Sequence, residues 1–348
     1  MNACIDDKKV ERNIRLSLSE NPYGMCNEAI NVIKKESENG FEYPDTDTSE
    51  LCEKISEIFG VSSDMVFCAN GTDEVILVAT LAFINQNKYG LTTKSTFKGF
   101  SESINFIGAK CIYVDLEEYS ISAKKIMESM NENIDVIYIC NPHNPTGTIM
   151  NEADLESIIK LAKKYGSIVI IDEAYAEYAN SNVYSSALKY VKAGERVIIT
   201  RTFSKIYGLA GLRCGYAIGH PHLIDKMKQV KKSLPYNVNI LAQKAALASI
   251  QCPEFIQKVK KNNNKVKEWF YNQLNVLDVQ YVRSETNFVL IKVPVDSKMF
   301  CKELYSKYGI LVKDAGAFGF DNHIRVSLGS YETMVYVVDC FKKILNRF

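Results

Sequence analysis

Between residues 65 and 200 the chain alternates short apolar runs with amphipathic stretches, and this alternation limits the possible folds more than any other feature. The strand-like runs are 65–68, 89–92, 110–115, 135–140, 167–172 and 196–200, and helical patterns such as 75–84 and 152–165 separate most of them. Near-continuous apolar strands between amphipathic helices predict a mostly parallel sheet buried on both faces. Ligands of such sheets bind beyond the carboxyl ends of the strands. Cys140, Asp172 and Thr200 are three such ends.

The flanking regions read differently. A helix is expected over 27–35, and Asp47 with Glu50 three residues later has a capping-box pattern opening a second helix. Leu51, Ile55 and Ile58 would be its buried stripe. After Pro221 come long helical patterns at 223–233, 240–250 and 254–274, then strands at 288–293 and 324–327 with helices at 297–308 and 332–345. The expected organisation is an N-terminal arm (1–38) associated with a small domain, a large α/β domain (39–245) and a small C-terminal α+β domain (246–348).

Composition excludes several function classes. A net charge of +1 gives no electrostatic footprint for nucleic acid or an anionic membrane. Residues 1–20 are charged and lack the apolar core of a signal peptide, and the longest apolar run, 75–84, is about half a membrane span. Ten scattered cysteines without a Cys-x-x-Cys pair, and only four histidines, argue against a zinc site or a disulfide framework. A cytoplasmic location, no metal and no membrane or nucleic-acid partner are expected.

Four segments carry candidate chemistry. Asn70-Gly-Thr-Asp-Glu74 opens a helix whose free N–H groups could bind an anion or could simply be capped. Asn141-Pro-His-Asn-Pro-Thr-Gly147 follows an apolar strand; its prolines either aim the Asn144 amide or only build a rigid turn. Asp172 of Ile170-Ile-Asp-Glu-Ala-Tyr175 needs a partner if buried, and would otherwise be a helix cap. In Arg201-Thr-Phe-Ser-Lys-Ile-Tyr-Gly-Leu-Ala-Gly-Leu-Arg213, Lys205 stands between hydroxyl residues and a fixed cation. An amine that attacks a carbonyl, beside a phosphate clamp, is what pyridoxal phosphate requires, although a solvated loop would also accommodate such a lysine.

Together, in this chain order, the segments resemble the aspartate-aminotransferase fold family of pyridoxal phosphate enzymes (fold type I, aminotransferase class I/II), in particular its histidinol-phosphate aminotransferase branch. The resemblance runs from Glu20-Asn-Pro-Tyr-Gly24 to Ile324-Arg-Val-Ser-Leu-Gly329. It implies that Lys205 forms the Schiff base and moves the α-proton, that Asp172 pairs with the pyridine nitrogen, and that Asn144 and Tyr175 bind the phenolic oxygen. Thr202, Ser204, Arg213 and the N–H groups of Thr72 and Asp73 would hold the phosphate. Phe97 would stack on the ring, unless it is a core residue. Tyr43 would reach the phosphate of a second subunit, which implies a homodimer. Arg325 would clamp the substrate carboxylate, unless it is a surface strand residue, and Asn21, Tyr23 and Lys313 would complete the substrate site. Neutral Lys205 would be favoured by burial beside Arg213.

The sequence departs from that branch in three places. No Pro-Tyr segment precedes Leu16, Ser17 and Ser19 stand where asparagines are usual, and Val312-Lys313-Asp314 carries a lysine in place of the substrate-phosphate arginine. Lysine meets phosphate as a point charge without a fork, and Asp314 beside it would repel an anion. The expected reaction is transfer of an amino group from a small, phosphorylated or unphosphorylated, amino acid or amine to a 2-oxo acid. The alternative is decarboxylation of a phosphorylated amino acid, as in threonine-phosphate decarboxylases.

Overall fold

A computed structural model describes residues 13–85, 87–179 and 184–347. Residues 1–12, which belong to the expected arm and to the segment read as lacking a signal peptide, lie outside the described residues.

The strands are β1 (Ile14–Leu16), β2 (Val66–Ala69), β3 (Tyr89–Thr93), β4 (Lys110–Val114), β5 (Ile134–Cys140), β6 (Ile168–Asp172), β7 (Val197–Thr202), β8 (Gly215–Gly219), β9 (Tyr281–Val282), β10 (Phe288–Lys292), β11 (Ile310–Asp314) and β12 (His323–Ser327). Seven of them form one sheet in the order β2-β8-β7-β6-β5-β3-β4. All its neighbours are parallel except β8, which runs antiparallel to both β2 and β7. The fold is thus α/β with a mostly parallel sheet, as the alternation predicts.

Period-two alternation explains how this sheet is buried on both sides. Ile137, Ile139, Val169, Ile171, Val197 and Ile199 enter one core, while Val136, Tyr138, Ile168, Ile170 and Ile198 enter another. Helix Glu152–Tyr165 supplies Leu155, Ile158, Ile159 and Ala162 to the first, and helix Thr72–Phe83 supplies Val75, Ile76, Val78 and Ala79 to the second.

A second sheet, β1-β11-β12-β10-β9, is antiparallel apart from the β1–β11 pair. One face, with Val289, Ile291, Ile324 and Val326, packs on Phe270, Leu274, Val337 and Phe341 of helices Pro253–Val276 and Tyr331–Leu345. The other face carries Arg325 and turns toward the large sheet. Strands β1, β8, β9 and β11 are absent from the sequence reading: each is short, and only its partner strand distinguishes it from a loop.

Two local expectations are corrected. The capping box does not form. Helix Ser49–Phe59 starts after Thr48, which has a left-handed φ of 52° and no side-chain cap. Asp45 instead accepts from the backbone N–H groups of Asp47 and Ser49, and Glu50 pairs with Lys244 at 2.6 Å. The predicted stripe also shifts. Leu51, Cys52, Ile55 and Ser56 are buried, but Ile58 is 49% exposed. At about 100° per residue that set centres the buried face beyond Ile55, which leaves Ile58 at the rim.

A buried ion cluster ties β7 to the turn after β6. The Arg201 guanidinium donates to Glu173 at 2.6 Å and to Glu177 at 3.1 Å, and Glu173 also accepts from Ser186 and the Ala187 N–H. Removing one partner of such a cluster strands the other charge in low dielectric. Arg201→Leu is expected to lower unfolding free energy by about 3–5 kcal/mol in chemical denaturation; a loss below about 1 kcal/mol, the scale of an exposed pair, would contradict a buried cluster.

Candidate active site

The carboxyl ends of β5, β6 and β7 lie side by side, with Cys140 opposite Asp172 and Asp172 opposite Thr200. Asp172 is buried there and accepts from Tyr138 Oη at 2.6 Å, Thr200 Oγ1 at 3.1 Å and the Ala174 N–H at 3.2 Å. Burial raises its pKa, and the bonds from Tyr138, Thr200 and Ala174 oppose that shift. A carboxylate offers about four acceptor positions, so three donors leave one for a further N–H. Asp172 is thereby no helix cap. Tyr138 was missed in the sequence because it sits inside a run that reads as apolar core, and Thr200 was read as a strand end without its bond to Asp172.

β7 continues two residues past Thr200, to Thr202, and delivers the Lys205 loop beside this edge. Lys205 Nζ donates to the Leu18 carbonyl at 2.9 Å and lies 5.5 Å from the centre of the Tyr175 ring. Its pKa falls to about 8, first through loss of water and then through the positive charge of Arg325. The cation that acts on Lys205 is therefore Arg325 from the small sheet, in place of the expected Arg213.

Arg213 belongs to a different corner. It is held with a left-handed φ of 59° and reaches Ser204 Oγ at 3.3 Å and Asp73 at 2.8 Å. A Cβ on Gly71 would come within 2.4 Å of its Nη2, so glycine is required for that approach. Helix Thr72–Phe83 begins here with no side-chain cap, leaving first-turn N–H groups at Thr72 and Asp73. Thr202 Oγ1 accepts from the Ser204 N–H at 3.0 Å. Uncapped amides, two hydroxyls and a guanidinium form a cradle for a phosphate dianion.

Arg325 is buried, not a surface strand residue. Its Nη1 donates to Asn144 Oδ1 at 2.5 Å, its Nη2 to the Ser17 carbonyl at 2.7 Å, and its Nε is buried without a partner. These partners are neutral, so a planar anion would complete a fork that is already oriented. Asn144 is fixed by its loop: the His143 N–H donates to Thr148, Gly147 donates back to His143, and Asn141 Oδ1 accepts from Met150. Tyr175 is buried edge-on against Phe288, and burial pushes its hydroxyl pKa far up, so it remains a donor.

The remaining predicted residues are less close-knit. Phe97 is half-buried and packs against the core that contains Phe100. The Asn21 amide donates to the Ile206 carbonyl at 2.7 Å and so fastens the arm to the Lys205 loop. Tyr23 lines two surface cavities, one with Asn262, Ser330 and Glu332, the other with Cys26 and Cys252. Tyr43 is 83% exposed, its ring 4.7 Å from that of Tyr236. Lys313 faces Arg325 across β11 and β12.

The family model for aminotransferase class I and II matches residues 11–341. The chain belongs to this family. A histidinol-phosphate aminotransferase of Moorella thermoacetica is 32% identical over 333 residues, covering 95% of this chain and 85% of the relative. The corresponding protein of Caldicellulosiruptor saccharolyticus is 32% identical over 336 residues, covering 97% and 93%. The structure of a histidinol-phosphate aminotransferase from Sinorhizobium meliloti in complex with pyridoxal 5'-phosphate superposes with a TM-score of 0.88 at 19% identity, covering 96% of this chain and 91% of that one. The protein is a pyridoxal-phosphate-dependent transaminase of fold type I. Its residues fit that cofactor: the Gly71 cradle suits the phosphate, and the spare acceptor position of Asp172 suits a ring N–H. No helix among the described residues is long and apolar enough to cross a membrane.

Below about pH 8 the Lys205 amine is protonated, and above it neutral. Reductive labelling of Lys205 in the apo-transaminase by a small aldehyde, followed by peptide mapping, should rise with pH and reach half-maximum near 8. A midpoint at the ordinary lysine value, about 10.4, would overturn the assigned environment.

Proposed function

We propose that this transaminase moves an amino group between a small amino acid or amine that carries a second anionic group, of the histidinol phosphate kind, and a 2-oxo acid. The observation that carries this reading is the Lys313–Arg325 pair. The two residues are direct partners across β11 and β12, so their side chains leave the same face of the sheet. Asp314, the neighbour expected to repel an anion, alternates to the other face and bonds Ser297 Oγ at 2.7 Å and the Gly316 N–H at 3.0 Å. Lys313 would thus meet a substrate phosphate without that opposition, and Arg325 would take the carboxylate of the amino acid or 2-oxo acid. The names of the curated relatives support the same substrate class.

Bound pyridoxal phosphate supplies an electron sink for the substrate's α-carbon. In this proposal Thr72, Asp73, Thr202, Ser204 and Arg213 hold the phosphate, Asp172 keeps the ring nitrogen protonated, and Asn144 and Tyr175 donate to its phenolic oxygen. Phe97 stacks on the ring. Lys205 would hold the cofactor through Nζ, in place of its bond to the Leu18 carbonyl, and the same Nζ would carry the α-proton. Asn21 and Tyr23 close the arm over the substrate. We further propose a cytoplasmic homodimer in which exposed Tyr43 reaches the second subunit's cofactor phosphate; weakened cofactor affinity in Tyr43→Phe tests that contact. The arm, large domain and small domain are proposed at 1–38, 39–245 and 246–348.

Lys205→Ala should lose the visible absorption of the bound cofactor, and an unchanged spectrum would remove Lys205 from its role. Arg325→Lys should raise KM for the amino donor about tenfold or more while leaving that absorption in place, the cost of a lost charged hydrogen bond. The deciding experiment is a panel of phosphorylated and unphosphorylated amino acids and amines, scored for transfer to a 2-oxo acid and for carbon dioxide release. Equal kcat/KM for both sets, or the same values in Lys313→Ala, would sink the phosphate assignment. Release of carbon dioxide would redirect the reading to decarboxylation.

A further inference from the structure

Cys26, Glu28 and Cys252 form the one cluster of potential metal ligands found among the described residues, with both thiol sulfurs and a carboxylate oxygen within 4.8 Å of one another. Local sequence spacing hides it, because Cys26 and Glu28 come from the start of the chain and Cys252 from the turn between helices Ile240–Ile250 and Pro253–Val276. Tertiary packing brings them together: helix Asn27–Glu36 lies along helix Ile240–Ile250, and Ala29 shares a core with Ala242, Ala245 and Ala246.

Both cysteines stand at helix N-caps. Cys26 precedes helix Asn27–Glu36 and Cys252 precedes helix Pro253–Val276, and neither side chain caps its own helix. Serine, threonine, aspartate or asparagine would serve a cap better. Two cysteines at two such positions, with their sulfurs converging, thus do not serve helix capping. Burial, with Cys26 and Glu28 beside it, pushes the Cys252 thiol up to about 12, so a cation must displace the proton of that thiol on binding. Glu28, in the first turn of the same helix as Cys26, adds an exposed carboxylate.

Two thiolates and a carboxylate match the ligand types of tetrahedral zinc, with the fourth position left to water. Sulfur–zinc bonds of about 2.3 Å and oxygen–zinc bonds of about 2.0–2.2 Å place neighbouring ligands roughly 3.5–4 Å apart, a little inside the 4.8 Å within which these atoms lie. Entry is open, because the cluster lines a surface cavity of about 960 Å³ with Tyr23, Met25 and Gln251. We infer that Cys26, Glu28 and Cys252 bind one thiophilic divalent cation of the zinc class, releasing the two thiol protons to solvent.

The location gives the site a consequence. Residues 17–24 run from the Ser17 carbonyl on Arg325, past the Leu18 carbonyl on Lys205, to the Gly24 carbonyl, which lies so close to Gly208 that a Cβ there would approach it to 2.0 Å. Cys26 follows directly. A cation would fasten the end of this segment to the turn between the two helices.

Cobalt(II) is the probe, because thiolate ligation gives it charge-transfer and tetrahedral ligand-field absorption. Reduced, chelator-treated holoenzyme should take up one equivalent of cobalt per chain with that spectrum, and zinc should displace it. Cys26→Ser and Cys252→Ser should each abolish the thiolate band. Glu28→Gln, at an exposed position, should weaken binding by more than about a hundredfold, exceeding the effect of losing a group that only orients a ligand. The cofactor's own absorption reports folding of every variant. No thiolate band in the wild type, or a band that persists in Cys26→Ser and Cys252→Ser, overturns the site. So does uptake of no metal by a reduced protein whose Cys26 and Cys252 link as a disulfide on oxidation.

Discussion

Asp172 ends a strand whose five residues are all buried, and a carboxylate in that place persists only because Tyr138, Thr200 and the Ala174 N–H converge on it. Each of these donors depends on another part of the fold. Tyr138 comes from β5, Thr200 from β7, and Ala174 from a turn whose next acids, Glu173 and Glu177, are held by Arg201. The parallel register that aligns Cys140, Asp172 and Thr200 is therefore a condition for the charge as well as for the sheet.

The same edge is where the two sheets meet. Arg325 reaches from β12 to Asn144 on the loop after β5, and Nη2 binds the Ser17 carbonyl, while the neighbouring Leu18 carbonyl receives Lys205. One guanidinium thus orients the asparagine, anchors the covering segment and lowers the lysine's pKa. A shift of the small sheet relative to the large one would alter all three together. Through Arg325, an anion bound at the small sheet would act on Lys205 at the edge of the large one.

Much of this was legible in the sequence. The strand-helix alternation gave six strands of the large sheet within about two residues at each end, because strands buried on both faces leave continuous apolar runs. Asn144, Asp172, Lys205 and Arg213 could be singled out because prolines, glycines and an ionisable residue at a strand end are informative without their surroundings. Family resemblance added Arg325 and the class of chemistry.

Other features were decided only in three dimensions. Tyr138 reads as core and Thr200 only as a strand end until their hydroxyls are seen on Asp172, and β8 is recognised only where it pairs between β2 and β7. Asp45, in place of Asp47, accepts from the Ser49 N–H at the start of helix Ser49–Phe59. The cation acting on Lys205, the face on which Asp314 lies, and the meeting of Cys26 with Cys252 all depend on long-range packing. Sequence by itself determined the elements and the reactive residue types, since these follow from periodicity and local chemistry. Tertiary structure decided the partners, because a charge in low dielectric is governed by its nearest neighbours in space, and the chain order does not list them.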